Sequence, residues 1–343
     1  MEVIKRLFKY AIKLSLSLSI SIFITKHICL LVFPEINNTK KLQKTAKKIL
    51  EAIGIKNPPE LTNDESLILI NFISTTNKTT FNDIIGYENV KLTIRRRIMY
   101  PLFLSCRNIN KLLNPPSGVL FHGPTGNGKT KFTHALRLES GYRFLDIDMS
   151  ILMNKFVGES QKLITALFSL AKKIEPVILF IDEMESFFRT KYACEYDNMS
   201  DFKAHFLLKW DDHIRRNSKI IVIGTSNMAE LIDPAVLRRM PVKIFIDFPD
   251  ETTRINILND LLSFTSTNSE IINDVKLKTS MLSCANLVEI CRLAVSNKIN
   301  IKLINEFDYY NQIYNHYFFD TEPITDVDLI FAINEFNTFQ LLM

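Results

Sequence analysis

The chain has 343 residues, of which 47% are hydrophobic and 23% are charged. This composition supports a large buried core and excludes a disordered or collagen-like chain. The net charge is +5, but residues 1–60 carry eleven Lys and Arg against four Glu, so the rest of the chain sums to −2. A basic nucleic-acid-binding body is therefore excluded, and we expect no nucleic-acid partner. The five scattered cysteines fit a reducing compartment and argue against a zinc site.

The N-terminal region contains an apolar stretch from Ala11 to Phe33, whose longest uncharged run, Leu14 to Thr25, has 12 residues. That run is shorter than the roughly 18 to 20 apolar residues that cross a bilayer unaided. The whole stretch can cross if Lys13 and Lys26 extend their ammonium groups to the lipid headgroups. We therefore predict a membrane anchor over residues 1–33. An interfacial helix, a cleaved targeting helix and a buried core helix are the alternatives, and the balanced lysines on the two sides do not decide the orientation.

Beyond the predicted anchor, the sequence divides into three further regions. Residues 34–78 are polar and rich in Lys and Asn, which predicts a linker. Over residues 79–250, short apolar runs alternate with longer helical patterns, which is typical of an α/β domain with a parallel sheet. Helical periodicity dominates residues 251–343 and predicts a smaller helical domain. The five strands are expected at Gly118–His122, Arg143–Ile147, Val177–Ile181, Ile220–Gly224 and Val242–Ile246.

The strongest local signal is the sequence GPTGNGKT at residues 123–130, which follows an expected strand and precedes a helical segment. It has the G-x-x-x-x-G-K-T spacing and the context of a phosphate-binding loop. Glycines let successive backbone N–H groups turn towards a phosphate, and the helix N-terminus adds a favourable dipole. We expect Lys129 to neutralise the β- and γ-phosphates of ATP and Thr130 to bind Mg²⁺. The expected phosphate-binding residues are Gly123, Pro124, Thr125, Gly126, Asn127, Gly128, Lys129 and Thr130.

Two later strands end in polar side chains. The continuous apolar strand VILFI is followed by Asp182 and Glu183, and the next strand along the chain is followed by Asn227. Because buried parallel strands present their carboxyl ends at one edge of the sheet, both carboxylates should lie beside the phosphate loop. Asp182 is expected to hold Mg²⁺ and Glu183 to polarise an attacking water molecule. The Asn227 amide suits the positioning of that water, although such a residue alone is typical of a turn.

Two adjacent arginines, Arg238 and Arg239, precede the last expected strand. The nearest acidic residue in the sequence is Asp233, so no close local partner is expected. In ring ATPases, paired arginines at a subunit edge reach the γ-phosphate held by a neighbouring subunit. A solvated basic turn is the alternative.

Taken in order and spacing, GPTGNGKT, FIDE, GTSN and LRRMP, with FNDIIGYENVK upstream, resemble the AAA ATPases of the meiotic clade. The segments MNKFVGESQKLITALFSLAKKIEPVILFIDEMESFFR and FLLKWDD, and RRMP above all, are similar to the membrane-anchored AAA translocases of the outer mitochondrial membrane. The resemblance covers about residues 61–300. It implies an AAA-type core, ATP and Mg²⁺ as cofactors, and a homo-hexameric ring. The implied activity is extraction of mislocalised tail-anchored proteins through a central pore, with the ATPase domain in the cytosol at the mitochondrial outer membrane or the peroxisomal membrane.

The resemblance also implies roles for individual residues. Asp83, Ile84 and Gly86 correspond to positions near the adenine, and Asn227 corresponds to the first sensor of the nucleotide. The two arginines correspond to fingers that act on the next subunit. The substrate-gripping first pore loop corresponds to Lys155, Phe156 and Val157, and a second pore loop is expected near residues 192–197.

Three positions depart from the family pattern. Thr125 replaces a proline, which should loosen the phosphate loop without removing a phosphate contact. Val157 replaces the second pore-loop aromatic residue and should weaken the grip on a substrate. Residues 281–285 lack the two glycines of the second sensor, which puts the nucleotide contact from the small domain in doubt. The altered second sensor leaves a non-hydrolysing, nucleotide-gated assembly protein as one alternative function. A microtubule-severing ATPase of the same clade is the other.

Overall fold

A parallel five-stranded sheet with helices on both faces forms the centre of the molecule, and a helical domain follows it. The computed structural model describes residues 34–73, 78–105, 115–153, 159–190, 197–215, 219–262, 269–306 and 324–341.

The strands are β1 (Gly118–His122), β2 (Arg143–Asp146), β3 (Val177–Ile181), β4 (Ile220–Ser226) and β5 (Val242–Phe245), and they pair in the order β2-β3-β4-β1-β5. All pairings are parallel, so the predicted five-stranded parallel sheet is confirmed. The observed ends differ slightly from the predicted ones: β4 continues to Ser226, whereas β2 and β5 each end one residue earlier.

Helices precede, connect and follow the strands. Before β1 lie α1 (Pro34–Ala52), α2 (Asn63–Phe72) and α3 (Glu88–Ile94), which continues through a π-helical turn (Arg95–Met99) into α4 (Tyr100–Ser105). Between strands lie α5 (Lys129–Ser140), α6 (Met149–Leu152), α7 (Glu159–Lys173), α8 (Asp197–Arg215) and α9 (Pro234–Leu237). After β5 lie α10 (Glu251–Leu262), α11 (Ser269–Lys278), α12 (Cys284–Glu306) and α13 (Asp326–Leu341). Short 3-10 turns lie at Phe81–Asp83, Met184–Ser186 and Ala229–Leu231.

The sheet is buried on both faces because its central strands are apolar over most of their length, and β3 is apolar at every position. Along β3, Leu179 and Ile181 belong to one core cluster, and the alternating residues Ile178 and Phe180 belong to the other. Helices α1, α2, α7 and α8 contribute buried side chains to the first cluster, and α3 and α5 contribute to the second. Successive side chains on a strand point to opposite faces, so continuous apolar runs are the expected sequence for such a sheet.

Residues 34–73, which lie in the predicted linker, form α1 and α2, and both helices pack on the α/β domain. Leu50 of α1 and Phe72 of α2 are fully buried in the first core cluster. Beyond α2, Ile73 pairs with Leu145 through an isolated antiparallel bridge at the edge of the sheet. The sequence predicts a linker here because the segment is polar on average. A few apolar residues at helical spacing nevertheless suffice to bury one face of each helix.

A buried carboxylate fixes α2 against α7. The Glu65 side chain is 2% exposed; its Oε2 lies 2.7 Å from Lys173 Nζ, and its Oε1 accepts a hydrogen bond from Ser169 Oγ at 2.6 Å. Glu65 and Thr62 also form a capping box at the start of α2. Burial alone raises the pKa of Glu65, but the hydrogen bonds from Lys173, Ser169 and Thr62 outweigh it and hold the pKa below its ordinary value.

The helical domain after β5 has its own core. Leu258 of α10, Leu287 of α12 and Leu329 of α13 are fully buried in a third cluster. Half-buried Ile85, from the segment that precedes α3, packs against the same cluster. The large and small domains are therefore in contact, and the segment around residue 85 contributes to that contact.

Within the part of the chain that the structure describes, no helix combines the length and apolarity needed to cross a membrane. The predicted anchor over residues 1–33 lies outside the described residues.

The Glu65 contacts generate a prediction for stability. Glu65→Ala should lower the free energy of unfolding at pH 7 by about 1–3 kcal/mol, because it removes a buried hydrogen-bonded carboxylate. A group with a lowered folded-state pKa stabilises the protein above its unfolded pKa, and this contribution is lost as the pH falls through the folded value. The difference in unfolding free energy between the variant and the wild type should therefore shrink below about pH 4.5, the ordinary pKa of a glutamate side chain. Thermal and urea unfolding over pH 3–8 measure it.

Asp64→Ala is the matched control, because Asp64 is the exposed carboxylate next to Glu65 in the first turn of α2. Equal effects of the two substitutions at every pH contradict the role given to Glu65.

Candidate nucleotide-binding site

The phosphate loop lies between β1 and α5, and three of its residues adopt positive φ: Gly123 (143°), Gly126 (80°) and Gly128 (81°). A Cβ on Gly123 would overlap the backbone carbonyl of Ile246, and one on Gly126 would lie 2.7 Å from Ser283 Oγ. Glycine is therefore required at both positions by backbone conformation and by space. The loop leads directly into the N-terminus of α5, where free N–H groups and the helix dipole favour a phosphate.

Lys129, the first residue of α5, supplies the cation of the loop. The residue is 7% exposed, and Nζ donates hydrogen bonds to the carbonyls of Gly123 at 2.8 Å and Pro124 at 2.7 Å. Burial lowers the pKa of Lys129, whereas the carboxylates of Glu185, Asp182 and Glu183 oppose that shift. A buried cation held by two loop carbonyls fits the binding of a phosphate group at this loop.

The residues expected to hold Mg²⁺ lie together. Thr130 Oγ1 is 3.1 Å from Asp182 Oδ2, and Thr225 Oγ1 on β4 donates a short hydrogen bond to Asp182 Oδ1. Hydroxyl and carboxylate oxygens are the ligands that Mg²⁺ prefers, usually with several waters retained. This donor set fits a magnesium ion, although among the described residues no cluster of three or more His, Cys, Asp or Glu forms a metal site by itself.

Glu183 follows β3 in a left-handed conformation, with φ 47° and ψ 53°. Its N–H donates to Thr225 Oγ1 at 3.1 Å and to Asp182 Oδ1 at 3.2 Å, while its side chain is exposed. A non-glycine residue in this region is strained, and such strain is retained where the surroundings impose it. The turn places the Glu183 carboxylate at the carboxyl edge of the sheet, next to the Asp182 and Thr130 pair.

Asn227 lies directly after β4 and is half-buried. Its backbone N–H donates to Glu185 Oε1 at 2.9 Å. The register pairs Ile181 with Gly224, and His122 with Ser226, so β3, β4 and β1 end close together. The structure therefore brings Asn227 to the same edge as the phosphate loop and the carboxylates.

Glu185 and Thr225 are two site residues that the motifs did not single out. Glu185 is 7% exposed; one carboxylate oxygen binds Asn227 N–H, and the other is buried without a hydrogen-bond partner among the described residues. Thr225 is 1% exposed and contacts both Asp182 and Glu183. Two features of the sequence could have indicated these residues. Glu185 is a third carboxylate close after Glu183, and Thr225 is a hydroxyl residue in a mostly apolar strand.

The predicted adenine side lies between α5 and the small domain. Lys131 Nζ donates to the carbonyl of Asp83 at 2.7 Å, Ile84 is buried, and Gly86 has φ 69°. A Cβ on Gly86 would overlap the Thr253 side chain of the small domain. This segment therefore lies at the boundary between the two domains, and its contact with adenine stays a prediction.

The segment that departs from the second-sensor pattern contacts the phosphate loop directly. Ala285 N–H donates to the carbonyl of Gly126 at 3.0 Å, and Cys284 N–H donates to Asn127 Oδ1 at 3.3 Å. Asn127 is 1% exposed, and its Nδ2 is buried without a partner among the described residues. Tyr87 Oη reaches the same region, 3.4 Å from Cys284 Sγ. The small domain thus meets the loop through backbone groups despite the missing glycines.

The two arginines have different environments. Arg238 caps the C-terminus of α9 and is exposed, and its guanidinium has no hydrogen bond or ion pair with another described residue. Arg239 forms a bidentate ion pair with Asp211 of α8, through Nε at 2.7 Å and an Nη atom at 2.5 Å. Its other Nη atom donates to the carbonyl of Ala235 at 2.5 Å. The acidic partner lies 28 positions earlier in the chain, so it is not among the sequence neighbours of Arg239.

The predicted first pore loop, Lys155, Phe156 and Val157, lies outside the described residues. The second pore loop, predicted near residues 192–197, is described only at Asp197, where α8 begins.

Known proteins are similar to this chain in sequence and in fold. Residues 119–248 match the AAA family, described as ATPase family associated with various cellular activities. The outer mitochondrial transmembrane helix translocase of Danio rerio is 33% identical over 297 residues, which cover 85% of this chain and 80% of the relative. The Homo sapiens protein of the same name is 35% identical over 257 residues, which cover 73% and 70%. The mitochondrial sorting homolog of Caenorhabditis elegans is 31% identical, with 83% and 84% covered.

Among solved structures, the FIGL-1 AAA domain in complex with ADP superposes with a TM-score of 0.63 at 27% identity, covering 80% of this chain and 89% of that chain. The parallel sheet, the phosphate loop and the small helical domain define the class as AAA ATPases. Within that class, the chain belongs to the family of outer mitochondrial transmembrane helix translocases.

The contact between the loop and the small domain generates a second prediction. Gly126→Ala should lower the affinity for ATP at least tenfold, because its Cβ would lie 2.7 Å from Ser283 Oγ and 3.0 Å from the Ala285 Cβ. Either the loop or the small domain must then shift. Titration calorimetry with ATP and Mg²⁺ measures the affinity.

Gly54→Ala is the matched control: Gly54 has a similar φ of 85°, but its Cβ would meet nothing within 4 Å. It should cost about 1 kcal/mol of stability and leave nucleotide affinity unchanged. If both variants bind ATP as tightly as the wild type, the space constraint at Gly126 does not control binding.

Proposed function

We propose that the chain is a membrane-anchored AAA ATPase that assembles into a homo-hexamer and extracts mislocalised tail-anchored proteins from the outer mitochondrial membrane. The observation that carries the proposal is the contact between Thr130 and Asp182 beside the buried Lys129, with Glu183 and Asn227 at the same sheet edge. These residues have the chemical roles that ATP hydrolysis requires. The names of the relatives support the membrane and the client class.

In this mechanism the phosphate loop and α5 bind the triphosphate, and Lys129 neutralises its β- and γ-phosphates. Thr130 and Asp182 would hold Mg²⁺, and the bound ion would neutralise negative charge on the phosphates. Glu183 accepts a proton from the attacking water, and Asn227 orients that water. Thr225 and Glu185 hold these groups in place: Thr225 contacts the two carboxylate residues, and Glu185 holds the backbone of Asn227.

Hydrolysis is coupled to extraction through segments predicted from the sequence. Residues 1–33 anchor the ATPase in the membrane and keep its domain on the cytosolic side. Phe156 grips the client chain in the central pore, because a bulky apolar side chain makes contacts that do not depend on client sequence. Val157 contributes less contact area than an aromatic residue. Arg238 and Arg239, which precede β5, complete the active site of the next subunit.

The test uses the full chain reconstituted in liposomes with a tail-anchored client, and it measures ATP hydrolysis and client release together. The wild type should do both. Glu183→Gln should still bind ATP but lower turnover at least about a hundredfold and abolish release, because only a transition-state contact is lost.

Glu289→Gln is the control, since Glu289 lies on the surface of α12 and its ion pair among the described residues is with the exposed Arg292. Hydrolysis without client release supports an ATPase with another client. Binding of ATP without turnover in the wild type favours the non-hydrolysing assembly protein, and near-normal turnover of Glu183→Gln removes the catalytic assignment.

A further inference from the structure

Helix α1 carries a row of lysines on one side. Five of its 19 residues are lysine, and all five are exposed: Lys40, Lys41, Lys44, Lys47 and Lys48. At about 100° per residue, the five side chains fall within an arc of about 120° around the helix axis. We call this side of α1 the lysine face. The one carboxylate between Lys40 and Ala52 is Glu51, at the end of the same face, so the charge there is strongly positive.

Packing of the opposite side of α1 holds the lysine face towards solvent. Ala46 and Leu50 are fully buried in the first core cluster. Gln43 Nε2 donates to Asn63 Oδ1, at the start of α2, at 3.2 Å. Helix α2 is itself held to α7 by the buried carboxylate of Glu65. The lysine face is therefore a fixed surface of the folded domain.

The lysines of this face have no anionic partner within the described part of the chain. None of the five ammonium groups forms an ion pair or a hydrogen bond with another described residue. Like charges three or four positions apart destabilise a helix, and Lys44 has that spacing from each of the other four lysines. A surface with many negative charges would remove this repulsion, so the face is suited to a polyanionic partner.

The position of the lysine face in the chain favours a membrane as that partner. Helix α1 follows directly after the predicted anchor over residues 1–33. At 1.5 Å per residue, Lys40 lies about 10 Å along the helix from the end of that anchor, and Lys48 lies about 12 Å further on. The negative potential of an anionic bilayer decays over about 8 Å at physiological ionic strength. The long lysine side chains nearest the anchor reach this field, and the others reach it when α1 inclines towards the membrane plane.

We infer that the lysine face of α1 binds anionic lipid headgroups and holds the ATPase domain against the membrane surface. The inference rests on the proposed function, because it uses the anchor over residues 1–33. Lysine ammonium groups are compact, strongly hydrated charges, which suits attraction to many headgroups more than a pocket for one. Binding should therefore depend on lipid charge and on salt. Because α1 packs on α2, and α2 packs on α7, this contact sets the orientation of the α/β domain relative to the bilayer.

The test is lysine footprinting of the full chain in two kinds of liposome, one of phosphatidylcholine alone and one with about a third phosphatidylserine. Acetic anhydride labels accessible amines, and mass spectrometry reads the rate at each lysine. Labelling of the lysine face should be at least about threefold slower in the anionic liposomes. The difference should disappear in about 1 M NaCl, where the Debye length falls to about 3 Å.

Lys243 is the internal reference, because it is exposed on β5, at the opposite edge of the sheet from the strand β2 that α2 borders. Its labelling should be equal in the two kinds of liposome.

The decisive variant is the triple substitution Lys44→Glu, Lys47→Glu and Lys48→Glu, read at Lys40 and Lys41. Protection of these two lysines by anionic lipid should be lost, because the face then carries net negative charge. Lys243→Glu is the matched control and should retain the protection. Thermal unfolding and ATP hydrolysis of both variants should be close to the wild type, since the substituted residues are exposed and lie outside the nucleotide site.

Three results would overturn the inference. Equal labelling of the lysine face in the two kinds of liposome means that lipid charge does not act on it. Equal protection in both, or protection that survives the triple substitution, means that protein covers the face. Protection that appears in neutral liposomes only when a client is added assigns the face to an acidic client segment.

Failure of the proposed anchor gives a different result. If alkaline carbonate extracts the wild-type chain from both kinds of liposome, residues 1–33 do not anchor it and that part of the proposed function is wrong. The lysine face is then tested by flotation of the chain with added vesicles. Flotation with anionic vesicles alone supports the inference, and flotation with neither kind overturns it.

Discussion

Burial of the sheet on both faces is the constraint on which the active site depends. Every residue of β3 and β4 is buried, so polar side chains on these strands are confined to their carboxyl ends or must be satisfied within the sheet. Asp182 and Glu183 follow β3 at that edge, and Thr225 is the next-to-last residue of β4, where it pairs with Phe121 of β1. The order β3-β4-β1 places Thr225 between the Asp182 carboxylate and the phosphate loop that follows β1. The same packing that stabilises the fold thus concentrates its oxygen ligands at one edge.

The charges at that edge are complementary to a magnesium–nucleotide complex rather than to a free nucleotide. The carboxylates of Glu185, Asp182 and Glu183 all act on Lys129, the buried cation of the loop. A triphosphate alone would add further negative charge near these groups in a partly desolvated site. A divalent cation held by Thr130 and Asp182 would reduce that repulsion, which gives a physical reason for the oxygen cluster beside the loop.

Much of this arrangement follows from local sequence. Strands with continuous apolar runs and the glycine-rich loop are local patterns, so the sheet and the positions of Lys129, Thr130 and Asp182 could be predicted. The helices within residues 34–73 could not, because the segment is polar on average and only a few side chains, such as Leu50 and Phe72, bury its packing face. The partner of Arg239 was equally hidden. Asp211 lies on another helix, and tertiary packing alone brings the two together.

Thr125 shows how a tertiary contact can replace a local restraint. A proline at this position would fix φ and stiffen the phosphate loop, so threonine alone predicts a looser loop. The folded chain restrains the loop in other ways: Lys129 binds two of its carbonyls, Ala285 N–H binds the carbonyl of Gly126, and Cys284 N–H binds Asn127. Two of these contacts come from the small domain. The shape of the loop and the position of that domain are therefore linked, so a ligand that reshapes the loop must also act on the small domain.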